Sequence, residues 1–100
     1  MNKEGFRQWL IDSGMKPKVI SDVLSRVKRV EKAFVMKDPG FSFENEYKKD
    51  GGSSLNYRLS CFGKRLPEDV SLPKGAYHMN VIAYAVKKYF SYLDEVTKHK

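Results

Sequence analysis

The residues best suited to chemistry are Lys18, Ser21, Ser25, Lys28, Arg29 and Lys32. A helical repeat of about 100° per residue gathers these four cations and two hydroxyls on one side, with Asp22 the only acid among them. The chemistry is phosphate recognition. Ammonium and guanidinium groups neutralise phosphates and release counterions, and small hydroxyls between cations permit close approach to a phosphate backbone. Serine is a weaker helix former than Glu or Gln, so helix stability does not account for Ser21 and Ser25. A second polar face is formed by Asn80, Tyr84, Lys87, Lys88 and Ser91. There Asn80 can pair bidentately with adenine, and Ser25 on the first face is the other candidate for base edges. The bland alternative for both faces is a solvated helix surface, and Tyr84 can simply pack on a loop. The chain holds 12 acids yet places almost none on the first face, which favours binding.

Other chemistries find little support. Two histidines, His78 and His99, and one cysteine, Cys61, cannot supply a four-ligand zinc site from this chain alone, and no cofactor is expected. Glu46-Tyr47-Lys48 matches the Glu-x-Lys of metal-dependent nucleases but lacks an apolar strand around it. None of the six tyrosines stands beside an arginine and histidine set that would activate it as a nucleophile. His78 reads as a partly buried structural residue and Cys61 as a small buried hydrophobe.

The elements that must position these residues are helices. Pro17 suits a first helical turn, and Val19, Ile20, Val23, Leu24, Val27, Val30 and Phe34 form the apolar side of a helix over 17–35. Before it, Asn2 can cap a short helix over 3–13 carrying Phe6, Trp9 and Leu10, which Gly14 ends in the left-handed conformation. The tight turn that follows predicts Trp9 as the large anchor between the first two helices. Lys37-Asp38-Pro39-Gly40 is a loop. Ser42 then caps a helix over 42–49, with Glu46 one residue past the ideal capping-box position. Asp50-Gly51-Gly52 resembles a hairpin signal, but its flanks do not alternate, so it is read as a turn between helices. A helix over 54–62 ending at Gly63, a loop over 64–74, and a long helix over 75–97 complete the chain. The last helix carries an apolar stripe of His78, Met79, Val81, Ile82, Ala85, Val86, Tyr89, Phe90, Leu93 and Val96, and a fraying tail follows from Lys98.

The 100 residues, 41% hydrophobic and 13% aromatic, fit one domain with one core. A net charge of +7 favours a polyanionic partner. The absence of a signal-like start and of a run of about 18 apolar residues points to the cytoplasm and away from membranes.

The strings FRQWLIDSGMKPKVISDVLSRVKRVEKAF and YHMNVIAYAVKKYFSYLDE resemble the N-terminal core-binding (SAM-like) domain of tyrosine recombinases and phage integrases. Ala85, Val86, Lys87, Lys88, Tyr89, Phe90 and Leu93 match its last helix; Lys16 and Val19-Ile20 replace the family's Ser and Thr at the turn, and the 41–72 segment is longer. The resemblance implies a bundle of four or five helices that clamps duplex DNA opposite a separate catalytic domain. The family's Arg, Lys, His and Tyr catalytic set has no counterpart in these residues, so the resemblance implies DNA binding without strand cleavage.

The sequence therefore predicts an all-α bundle of about five helices that binds double-stranded DNA and is not an enzyme by itself. The faces of the second and last helices would carry binding through Lys18, Ser21, Ser25, Lys28, Arg29, Lys32, Asn80, Tyr84, Lys87 and Lys88, with no small-molecule substrate. The rival is a protein-interaction module of a phage or mobile-element accessory protein whose basic faces meet an acidic partner surface; beside DNA, another protein or a separate catalytic domain is the expected partner. Exposed Tyr, Phe or Met beside those faces would favour it.

Overall fold

The longest amphipathic stretch folds as its periodicity requires. A computed structural model describes residues 2–59 and 76–98, with side chains in the last helix described from residue 80 onward. Its elements are α1 (Lys3–Asp12), α2 (Pro17–Lys37), α3 (Phe43–Asp50), α4 (Ser53–Leu59) and α5 (Ala76–Lys98), with no strand among the described residues. The expectations for Cys61, Phe62, Gly63, the 64–74 loop, His99 and Lys100, and for the side chains of His78 and Met79, lie outside the described residues.

Helix α2 starts with Pro17 at its first position, after Lys16 in an extended conformation. Its buried residues are Ile20, Val23, Leu24, Val27, Val30, Ala33 and Phe34, and its most extensive packing is against α5. From α5, Ile82, Ala85, Val86, Tyr89, Phe90 and Tyr92 are buried in the same cluster. Each Val, Leu, Ile or Phe among them contributes about 1.5–3 kcal/mol on burial, so this pairing is the spine of the bundle. Val19 and Val96, expected on the apolar stripes, are 40% and 38% exposed. Both fall in a terminal turn of their helix, at the edge of the packed surface.

Caps set the remaining element ends. Asn2 Oδ1 accepts the Gly5 N–H at 3.1 Å. At the other end of α1, Gly14 has φ +84°, its N–H donates to the Ile11 carbonyl, and the Met15 N–H donates to the Leu10 carbonyl. That pair of bonds is a Schellman closure, and it fixes the short turn into α2. Ser42 Oγ accepts the Asn45 N–H at 3.0 Å to start α3. Gly51 and Gly52, at φ +70° and +88°, then turn the chain directly into α4, so Asp50-Gly51-Gly52 is a helix-to-helix turn.

Trp9 takes a different place from the one the sequence suggests. Phe6 and Leu10 are the fully buried residues of α1, while Trp9 is half-buried on the α5 side, with its ring centroid 6.0 Å from that of Tyr92. Its indole N–H donates to Glu95 Oε2 at 2.6 Å. An indole needs a hydrogen-bond partner as well as apolar cover, and α5 supplies both. The stripe of α5 is also wider than periodicity alone implies, because Tyr92 is buried and its hydroxyl accepts from Asn2 Nδ2 at 3.1 Å. Lys98, expected in a frayed tail, belongs to α5 and pairs with Asp94 at 3.1 Å.

Candidate nucleic-acid interface

Lys18, Ser21, Ser25, Lys28, Arg29 and Lys32 are all exposed along the side of α2 opposite its packing surface. On α5, Asn80, Tyr84 and Lys87 are exposed, and Lys88 is half-buried with its ammonium 5.5 Å from the Tyr84 ring centroid. Because α2 and α5 pack through their apolar sides, their polar sides point away from each other. The two depressions beside α2 share no lining residue with the one beside α5. The fold therefore separates two groups of candidates that the sequence reading had combined in one interface.

In place of α5, helix α1 completes the α2 face. Lys3, Arg7 and Ile11 follow one another at i, i+4 and i+8 along α1. With Ser21, Ser25 and Lys28 they line a groove of about 500 Å³. Its aliphatic floor comes from Met15, Ile20 and Leu24, with Ile11 on the α1 side. A second depression of about 500 Å³ continues from Ser25 and Lys28 along α2 to Arg29 and Lys32, where Glu31 and Val35 also border it. Lys18 lines neither. Lys3 and Arg7 were missed because they sit on a helix otherwise read for its aromatic side; the signal was their four-residue spacing.

The groove is unbalanced electrostatically. The Lys28 ammonium lies close enough to hold the Lys3 amine below the ordinary lysine range, with smaller contributions from partial desolvation and Arg7. Among the described residues, none of Lys3, Arg7, Lys28, Arg29 and Lys32 forms an ion pair. The hydroxyls are uncommitted too. Ser91 and Thr97 return their hydroxyls to the carbonyls of Lys87 and Leu93, one turn back. Ser21 and Ser25 have no hydrogen-bond partner among the described residues. Donors and cations without partners, converging over an apolar floor, suit an anion that carries an apolar portion.

The α5 side has another character. Its depression of about 440 Å³ sets Lys87 and Ser91 among Tyr47, Asn56 and Asp94, and Tyr47 donates its hydroxyl to Asp94 at 2.9 Å. That bond and the Lys98 ammonium hold the Asp94 carboxyl below its ordinary range, Lys98 being the larger influence. A carboxylate in this depression opposes the approach of a phosphate.

Glu46 and Lys48 lie on helix α3, where residues two apart point to different sides. They do not converge as the nuclease pair of a strand would. No group of three or more His, Cys, Asp or Glu suited to a metal ion occurs among the described residues. No helix among them is long and apolar enough to cross a membrane. No protein-family model matches the chain, and neither a curated protein nor a solved structure does.

Proposed function

We propose that the chain is a non-catalytic, cytoplasmic module that binds double-stranded DNA through the α1–α2 groove. The observation that carries this reading is the convergence of Lys3, Arg7 and Lys28 with the hydroxyls of Ser21 and Ser25, which have no partner among the described residues. Arg29 and Lys32 extend the positive track along α2 for neighbouring phosphates. Asn80, the best candidate for adenine, belongs to α5 and lines neither depression on the α2 side. Binding is therefore dominated by phosphate contacts, which position a protein on DNA without reading its sequence. The resemblance to recombinase core-binding domains points the same way.

A second reading has one observation in its favour. Ile11, Val35 and Met36, 47%, 36% and 79% exposed, border or adjoin the basic track. Apolar residues beside cations also suit an acidic protein partner with an apolar contact surface.

Titration of a fluorescent duplex across a salt series decides between them. Neutralising about four to six phosphates gives a slope of log K against log salt of about −4 to −5. If no duplex binds even at low salt, the DNA reading is wrong and the protein-partner reading takes its place.

A further inference from the structure

Resting on the anion-binding reading of this groove, we propose that it is a seat for the 5′-phosphate monoester of a nucleotide or strand end, in preference to the phosphodiester of a continuous strand. Lys3, Arg7 and Lys28 bring three positive charges to one groove, and among the described residues none of them is paired. An internal phosphodiester brings a single negative charge. A monoester is close to a dianion at neutral pH, its second pKa being about 6, and it exposes three oxygens to the cations and to the Ser21 and Ser25 hydroxyls. The depression of the Lys3 pKa by Lys28 and Arg7 agrees with a surplus of charge that one diester leaves uncompensated.

The scaffold holds this surplus in place. Asn2, immediately before Lys3, donates its backbone N–H to the Tyr89 hydroxyl at 2.8 Å and its side-chain amide to Tyr92. Across the groove, Lys28 follows the fully buried Val27 on α2. Both backbones are thus fastened to the core while their ammonium groups repel each other, an arrangement that a bound dianion relieves. Next to the cations, Ile11, Met15, Ile20 and Leu24 offer aliphatic surface for the sugar and base of a terminal nucleotide. The path from Ser25 to Arg29 and Lys32 leads on to the phosphates that follow in a strand.

The test is a nuclear magnetic resonance titration of the lysine ε-methylene groups. Thymidine 5′-monophosphate should shift Lys3 and Lys28 saturably and raise the Lys3 pKa. A thymidine dinucleoside phosphodiester without a terminal phosphate, and inorganic phosphate, should each bind about tenfold more weakly, the first lacking a charge and the second lacking the floor contact. Lys3→Gln or Lys28→Gln should each weaken the monophosphate about tenfold, and Lys87→Gln should leave it unchanged. Equal binding of the diester, equal binding of inorganic phosphate, or no saturable shift would each overturn the assignment. Duplexes with and without 5′-phosphates separate this proposal from the one it rests on. Duplex binding indifferent to the 5′-phosphate overturns the end preference and leaves DNA binding standing. Monophosphate binding without duplex binding does the reverse.

Discussion

Tyr89 is the residue at which three helices are tied. It is fully buried on α5, its ring centroid lies 4.9 Å from that of Phe6 and 5.2 Å from that of Phe43, and its hydroxyl accepts the Asn2 N–H while donating to Glu44 Oε1 at 2.6 Å. Tyr89→Phe keeps the ring and removes the hydroxyl, so urea titration should show a loss of about 1–3 kcal/mol, the cost of two part-buried hydrogen bonds, one of them to a carboxylate. Burial first, and the bond to Glu44 second, raise the Tyr89 pKa above the ordinary value of 10.0. Above about pH 10 the unfolded chain releases a proton that the folded chain keeps, so stability falls as pH rises from there. Denaturation midpoints followed from pH 9 to 11 should decline in the parent and decline less in Tyr89→Phe. Gly52 is the other sensitive position. Its φ is +88°, and a Cβ there would overlap the Phe90 ring. Gly52→Ala should therefore cost roughly 2–4 kcal/mol, combining left-handed strain with overpacking.

The helices divide into those whose ends are written locally and those whose packing is not. Asn2, Gly14, Ser42 and Gly51 act through bonds within a few residues of themselves, and Pro17 through its fixed φ at the first helical position, so the boundaries of α1 and α3 were legible to within about a residue and the end of α2, expected at residue 35, to within two. The apolar side of α2 was legible because burial follows period, apart from Val19 at its edge. Trp9 was misread, and Tyr92 was left out of the stripe, because their surroundings depend on which helix packs beside α1, and periodicity carries no information about neighbours. The candidate groove was half-legible for the same reason. The exposed side of α2 was evident, but its partner is Lys3 and Arg7 of α1, and the polar side of α5 faces elsewhere. Lys3→Gln should relieve the repulsion with Lys28 and leave the melting temperature at low salt equal to or above that of the parent, as scanning calorimetry can show. A lowered melting temperature would mean that Lys3 has a stabilising partner.

The described residues span about 36 × 29 × 21 Å, and a rigid bundle of this size cannot press two opposed helix faces against one straight duplex. The proposed DNA surface is therefore the α1–α2 side alone. Salt-dependent duplex binding should be compared among the parent, the variant Lys3→Gln/Arg7→Gln/Lys28→Gln, and the variant Lys87→Gln/Lys88→Gln. Each phosphate neutralised contributes about −0.9 to the slope of log K against log salt, so the groove variant should be shallower by about 0.9 if its three cations share one phosphate and by about 2.7 if each meets its own. The α5 variant should keep the parent slope. A groove variant with the parent slope and affinity, or an α5 variant with the larger loss, would contradict the account.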